Sequence, residues 1–112
     1  MLEQLTIFEK TYQLVLWLYP TVQKFPKTQR FVLGQQIETS ALNLVRGIIR
    51  ANASRAKLPL LYELSVELDT LRILLRLSKD LKFISVRQYG FAAEQVNEVG
   101  KLLGGWIRSN TR

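Results

Sequence analysis

The sequence predicts an all-α chain that folds as an antiparallel, up-down-up-down four-helix bundle. Three connecting segments, near residues 24–27, 52–59 and 82–85, divide its 112 residues. The stretches between them are about 20 to 25 residues long, place apolar residues at helical spacing and never alternate as a strand would. Because connections of a few residues join antiparallel neighbours, we expect one bundle domain that spans residues 1–112.

Two apolar stripes run along the first helical segment. One has the 3-4 spacing of a heptad seam and consists of Leu5, Phe8, Tyr12, Val15, Tyr19 and Val22. The second stripe consists of Ile7, Leu14, Leu18 and Phe25. Trp17 lies farther round, toward the polar face. Pro20 is expected to kink this helix, because its ring clashes with the carbonyl four residues back. The alternative is that the helix ends there.

The second segment begins near Thr28, a residue type that caps helix N-termini, and reaches about Ala51. One of its apolar faces consists of Leu33, Ile37, Leu44 and Ile48, and another of Phe31, Leu42, Val45 and Ile49. Gly34 and Gly47 each lower helix propensity by about 1 kcal/mol relative to alanine. We therefore expect these two glycines to let another helix approach closely.

Pro59 opens the third segment, since proline suits the first turn of a helix. Its seam consists of Leu61, Leu64, Leu68, Leu71 and Leu75, and the opposing stripe of Val66, Ile73 and Leu77. The acidic residues come early and the basic residues late, as the helix dipole favours.

The fourth segment begins at Ser85 or Val86. Its heptad positions are Tyr89, Ala92, Val96, Val99, Leu103 and Trp106, and a neighbouring stripe of small residues consists of Ala93, Asn97, Gly100 and Gly104. Small side chains at this spacing allow a second helix to approach closely, which predicts burial of the stripe within the bundle or between subunits.

The second apolar stripes predict that the chain associates with copies of itself. Apolar residues make up 47% of the chain, yet charged residues interrupt every run that could cross a bilayer. A protein with such stripes buries them in a closed homo-oligomer. The formal net charge of +7, from 16 basic and 9 acidic residues, then grows with copy number and favours polyanionic partners. No signal peptide is recognisable, and we expect a cytoplasmic protein.

The composition argues against an enzyme and against a cofactor or metal site. Without cysteine or histidine, the chain lacks thiol nucleophiles, thiolate or imidazole metal ligands and the commonest general base. Glu63 and Glu67 share a helix face but lack the Glu-x-x-His partner of a di-metal bundle site, so they are expected to complement the helix dipole. A carboxylate-based nuclease is a weak third possibility, because no acidic cluster could hold two metal ions.

The first two helices resemble a family of small bacterial four-helix bundle proteins, which includes proteins encoded by intervening sequences in large-subunit ribosomal RNA genes. The matching residues are Tyr19-Pro20, Phe25-Pro26-Lys27, Arg30, Leu33-Gly34, Gln36-Ile37, Ala41 and Asn43. Two further stretches are similar to the accessory variability determinant (Avd) of diversity-generating retroelements. They are Leu-Arg-Ile-Leu-Leu-Arg-Leu at 71–77 and Val-Gly-Lys-Leu-Leu-Gly-Gly-Trp-Ile at 99–107.

The resemblance extends from about Phe8 to Asn110 and favours the Avd branch. Where the wider family has an acidic residue in an Asn-Ile-Ala-Glu-Gly-like stretch, this chain has Arg46 within Asn-Leu-Val-Arg-Gly at 43–47. The resemblance implies a protomer that assembles into a five-fold barrel and binds the reverse transcriptase and its template RNA or DNA. Such a protein supports mutagenic reverse transcription without being a catalyst. The alternative is a structural oligomer of the ribosomal intervening-sequence type with no direct nucleic-acid role.

The positive charge is concentrated in the second helix and the connection after it. Residues 1–27, 28–57, 58–84 and 85–112 carry formal charges of +1, +4, 0 and +2. Candidate residues for binding nucleic acid or the reverse transcriptase in the most basic segment are Arg46, Arg50, Arg55 and Lys57. Arg46 and Arg50 repel each other on one helix face, which phosphates or acidic partner residues would relieve. The alternative interpretation is a solvated face.

Arg72 and Arg76 form a second pair on one face, and Lys79 follows one turn later. These three residues complete the candidate binding set. The alternative is structural, with Asp69 paired to Arg72 and Asp80 to Arg76 within the helix. Aromatic rings that could stack on bases are Trp17, Tyr62 and Phe91, although packing explains each of them as well.

Overall fold

A computed structural model describes the backbone of residues 2–111 and the side chains of residues 6–111, and in this range it contains helices and no strands. Helix α1 spans Leu2–Gln23, α3 spans Leu58–Asp80 and α4 spans Val86–Ser109. Helix α2 is continuous but has three parts, a first turn Lys27–Gln29, a π-helical turn Arg30–Gly34 and a long α-helical part Gln35–Ala53. None of the described helices combines the length and apolar character needed to cross a membrane.

The four helices form the expected antiparallel bundle. Helix α1 packs against α2, α2 against α3 and α3 against α4. Helix α1 also packs against α4, which closes the bundle. Contacts between α2 and α3 pair Ser40 with Glu67 and Gly47 with Leu64, so the residue numbers run in opposite directions. The bundle measures 45 × 23 × 19 Å along its principal axes.

The core consists largely of the faces predicted for the second, third and fourth helices. Their buried side chains include Leu33, Ile37, Leu44, Ile48, Leu61, Leu64, Leu68, Leu71, Leu75, Ala92, Val96, Val99, Leu103 and Trp106. The predicted opposing stripe of α3 is exposed, with Val66 at 67% and Ile73 at 60% of full accessibility. These apolar side chains are the surplus that the sequence indicated.

The prediction for the first helix assigned the wrong stripe to the core. The buried residues are Ile7, Thr11, Leu14, Leu18, Val22 and Phe25, whereas Tyr12 of the predicted seam is 47% exposed. Thr11 completes a continuous 3-4 stripe through the core, but as a polar residue it is invisible to an apolar pattern. Phe8, Val15 and Tyr19 are partly buried beside this stripe, and the side chain of Leu5 lies outside the described residues.

One helix boundary that the sequence left open is now defined, and another differs from the prediction. Helix α1 continues through Pro20 to Gln23, so the proline does not end it. Helix α2 begins at Lys27 after Pro26, and Thr28 is not its N-cap; the start has no side-chain cap. The carbonyl of Pro26 instead accepts hydrogen bonds from the backbone amides of Gln29 and Arg30, at 2.8 and 3.1 Å. Helix α4 begins as expected, because Ser85 and Gln88 form a reciprocal capping box.

The glycines of α2 permit close helix packing. A Cβ atom on Gly34 would lie 2.7 Å from Val22 Cγ1, and one on Gly47 would lie 2.5 Å from Leu64 Cδ2. Gly104 differs, since its nearest side-chain atom is Arg108 Nη1 of the same helix at 3.5 Å. The expected close approach at Gly104 therefore does not occur within the protomer, because no other helix reaches this position.

Candidate partner-binding surface

Arg46 and Arg50 line a groove between α2 and α3 with a volume of about 170 Å³. Glu63 and Glu67 line the same groove from α3, so the groove contains both charge signs. Arg46 Nη1 donates to Asn43 Oδ1 at 3.0 Å, and Asn43 Nδ2 donates to Glu67 Oε1 at 3.2 Å. The two arginines are exposed at the surface, but the acids beside them reduce the local positive potential.

The connection between α2 and α3 contains two basic residues that have different roles. Arg55 is exposed, and its side chain makes no hydrogen bond or ion pair with the described residues. Lys57 Nζ donates to the carbonyl oxygens of Ala51, Asn52 and Ser54 at 2.9, 3.1 and 2.6 Å. Because these carbonyls form the C-terminal end of α2, Lys57 caps that helix and its ammonium group is already occupied.

The candidate residues of α3 take part in intramolecular contacts. Arg72 Nη1 pairs with Asp69 at 2.8 Å, and Arg72 Nη2 donates to Asn97 of α4 at 3.4 Å. Arg76 lies 3.9 Å from the carboxylate of Asp80, which is also 3.4 Å from Lys79 Nζ. The two intrahelical pairs therefore form as the structural interpretation expected. Exposed pairs of this kind contribute at most about 1 kcal/mol, so a phosphate or a partner carboxylate can compete for Arg76.

Lys79 has a further structural contact and is only partly exposed. Its Nζ lies 4.7 Å from the centroid of the Tyr89 ring, a cation–π contact between α3 and α4. Together with the contact of Arg72 to Asn97, it joins the two helices. Of the α3 candidates, Arg76 is thus the most accessible to a partner.

The aromatic candidates also separate into packed and exposed rings. Trp17 of α1 packs against Phe91 of α4, with ring centroids 5.1 Å apart, whereas Tyr62 is exposed. The most exposed aromatic side chain among the described residues is Phe31, at 71%. In the sequence Phe31 belongs to an apolar stripe, and its position on a π-helical turn could not be predicted from that pattern.

A second basic region, which was not predicted from the sequence, lies at the end of the bundle where α1 meets α2 and α3 meets α4. Its members, which we call the basic end, are Lys24, Lys27, Lys82 and Arg87, and all four side chains are exposed. They come from different segments of the chain, so the formal charge of any single segment does not reveal the cluster. The up-down-up-down topology could have revealed them, because it brings the first and third connections to one end.

The described residues include no group of three or more acidic side chains arranged to hold a metal ion. What the surface offers is exposed arginine and lysine side chains beside exposed apolar ones. Such a surface can bind anionic and apolar groups of macromolecules.

Comparisons with known proteins agree with this architecture. A family model described as bAvd-like matches residues 5–110. A crystal structure of a protein with unknown function from the S23 ribosomal protein family of Bacteroides thetaiotaomicron has the same fold, with a TM-score of 0.85. The two sequences are 22% identical, and the alignment covers 95% of this chain and 98% of the other. No curated protein matches the sequence.

The similarity to Avd noted in the sequence is confirmed by the family match. The match extends over nearly the whole bundle, from the first turns of α1 to the end of α4. The chain therefore belongs to the bAvd-like family.

Proposed function

We propose that the protein is a non-catalytic, cytoplasmic accessory protein of a diversity-generating retroelement. In this role it is a basic homo-oligomer that binds the reverse transcriptase and the template RNA or DNA and supports mutagenic reverse transcription. The observation that carries the proposal is membership of the bAvd-like family over residues 5–110. The composition supports a binding role, since a chain without cysteine and histidine has few groups for catalysis.

The exposed apolar side chains support the oligomer. They lie on all four helices and include Leu16, Ile49, Val66, Ile73 and Phe91. Such side chains are stabilised when a symmetric assembly covers them. We propose a closed pentamer, in which each basic residue recurs five times and weak single contacts add up to multivalent binding.

The exposed arginines are the proposed contacts with the reverse transcriptase or with nucleic acid. Arg46, Arg50 and Arg55 lie around the C-terminal half of α2, and Arg76 lies on α3. Lys57, Arg72 and Lys79 contribute less in this proposal, because intramolecular contacts already hold their charged groups.

A paired binding experiment tests the proposal. The purified oligomer is offered the cognate reverse transcriptase in a pull-down and the template RNA in a gel-shift titration. The variant Arg46→Glu/Arg50→Glu is compared with Lys10→Glu/Arg108→Glu, which makes the same charge change at exposed positions elsewhere. We expect the first variant to weaken binding to one of the two partners by about tenfold or more. The control is expected to bind both partners as the parent does.

The opposite outcome would support the alternative function. If the parent protein retains its oligomeric mass but binds neither the reverse transcriptase nor the template RNA, the proposal fails. A structural bundle of the ribosomal intervening-sequence type then becomes the better description.

A further inference from the structure

The two chain segments that contain the basic end carry most of the net charge of the protein. The ring of Phe25 packs against the ring of Phe83, with centroids 5.6 Å apart, and this contact holds the two connections side by side. Residues 24–30 contain three basic residues and no acid, and residues 79–87 contain three basic residues and Asp80. These two short segments together carry +5 of the formal charge of +7.

The charges of the basic end are available to a ligand. Lys24, Lys27, Lys82 and Arg87 are exposed, and their side-chain nitrogens make no hydrogen bond or ion pair within the described part of the chain. Two acids lie nearby, and both have other partners. Asp80 is paired with Arg76 and Lys79, and Glu38 accepts a hydrogen bond from Gln23 Nε2 at 3.4 Å. The four cations of the basic end thus have no acidic partner of their own, and an anionic ligand would relieve their mutual repulsion.

Lys82 occupies a backbone position that suits glycine. Its φ angle is +66°, in the left-handed region, and it is the non-glycine residue with positive φ among the described residues. The amides of Lys82 and Phe83 bond to the carbonyls of Lys79 and Ser78 at 2.9 and 2.8 Å. This pattern is the Schellman ending of a helix, in which glycine is the preferred residue at the position of Lys82. A lysine at this position is less favourable for the backbone than glycine, and it places a charge at the tip of the bundle.

An exposed aromatic ring accompanies these charges. Phe31 lies on the π-helical turn Arg30–Gly34, four residues after Lys27, and its side chain is 71% exposed. π-helical turns occur frequently at functional sites. Proteins that bind single-stranded nucleic acid combine an exposed aromatic ring, which stacks on a base, with cations that contact the phosphates.

We infer that the basic end, together with Phe31, is a binding surface for single-stranded nucleic acid. Phe31 stacks on an unpaired base, while Lys24, Lys27, Lys82 and Arg87 contact the phosphate backbone. A duplex binds less well, because its bases are stacked on one another and offer no free face to the ring. The inference rests on the proposed function for nucleic-acid binding itself, and it assigns that binding to a surface distant from Arg46 and Arg50. Along α2, Arg46 lies nineteen residues after Lys27, about 28 Å at 1.5 Å per residue.

The test measures how short oligonucleotides bind to the intact oligomer. Probes are an oligothymidylate and an oligouridylate of about eight nucleotides, within the site sizes of single-strand-binding folds, and a DNA duplex of equal length. Fluorescence anisotropy is recorded over a range of salt concentrations. Lys24→Gln/Lys82→Gln is compared with the control Lys10→Gln/Arg108→Gln, which removes the same charge at exposed positions, and with Arg46→Gln/Arg50→Gln at the other candidate surface. Lys10 lies 14 residues before Lys24 and Arg108 lies 21 residues after Arg87. Both control positions are therefore farther from the basic end than the Debye length of about 8 Å at physiological salt.

We expect the basic-end variant to reduce the steepness of the salt dependence by about 1.4 in d log K/d log[salt], since each single-strand phosphate contact contributes about 0.7. The control variant Lys10→Gln/Arg108→Gln is expected to keep the parent slope. Phe31→Ala should weaken single-strand binding roughly 5- to 150-fold while duplex binding changes little, and Phe31→Tyr should restore it. Light scattering verifies that every variant keeps the parent mass.

Four results would overturn the inference, and they separate it from the proposed function. If the Arg46/Arg50 variant loses the salt dependence and the basic-end variant keeps it, nucleic-acid binding stands but its location is wrong. If Phe31→Ala leaves single-strand binding unchanged, the stacking role is wrong. If Phe31→Ala dissociates the oligomer, the ring is a subunit contact. If the parent binds no probe even at low salt, the nucleic-acid part of the proposed function fails as well.

Discussion

Replacement of Lys82 by glycine should stabilise the protein. The φ angle of +66° places the Lys82 Cβ in the crowded left-handed conformation, which costs an L-residue roughly 1–2 kcal/mol. Glycine relieves this cost but makes the unfolded chain more flexible, which reduces the gain by about 0.4–1 kcal/mol. The net expectation is a free energy of unfolding about 0.5–1 kcal/mol higher. For a chain of 112 residues this raises Tm by about 2–4 °C.

The control for this prediction is Lys82→Ala, which removes the same charge but keeps the Cβ. Thermal melts followed by circular dichroism at equal protein concentration compare the parent and both variants, since the Tm of an oligomer depends on concentration. If the positive φ angle is the cause, Lys82→Gly must have a higher Tm than Lys82→Ala. Equal Tm values for the two variants would show that charge, and not φ, determines the effect, and a lower Tm for glycine would refute the reasoning outright.

Two further substitutions test the core. Thr11 is fully buried, and its Oγ1 has no hydrogen-bond partner in the described structure, so Thr11→Val should raise the free energy of unfolding by about 1 kcal/mol; a urea titration in which valine is destabilising would contradict this. Gly47→Ala should lower the free energy of unfolding by about 1–3 kcal/mol, because the new Cβ would lie 2.5 Å from Leu64 Cδ2. This loss is expected despite the higher helix propensity of alanine. The companion variant Gly90→Ala, at a position with nothing within 4 Å of the added Cβ, should be stabilising instead, and loss of stability in both would refute the packing argument.

The sequence was sufficient to predict the bundle and three of its four core faces, because apolar residues alone define the buried stripes of α2, α3 and α4. It failed for α1, where the buried stripe passes through Thr11 and the more regular apolar seam includes the exposed Tyr12. The π-helical turn Arg30–Gly34 has no recognisable signal in the chain; it ends at Gly34, where Val22 of α1 approaches closely.

The candidate binding residues could be predicted by type but not by role. Lys57 and Arg55 are equivalent as charges in the sequence, yet only Lys57 reaches the carbonyl groups at the end of α2. Arg72 likewise makes contact across to Asn97, which depends on the packing of two helices. The basic end was missed for a topological reason, because Lys24 and Lys82 become neighbours only when the first and third connections lie at one end of the bundle.

If this bundle protein enables mutagenic copying by a reverse transcriptase, as we propose, the cDNA that the enzyme makes must depend on it. The cognate reverse transcriptase is incubated with its template RNA, with and without the purified oligomer, and the cDNA from both reactions is sequenced. We expect substitution-bearing cDNA to form when the oligomer is present and to fall sharply when it is omitted. Equal yield and equal substitution frequency in the two reactions would show that the protein has no such role.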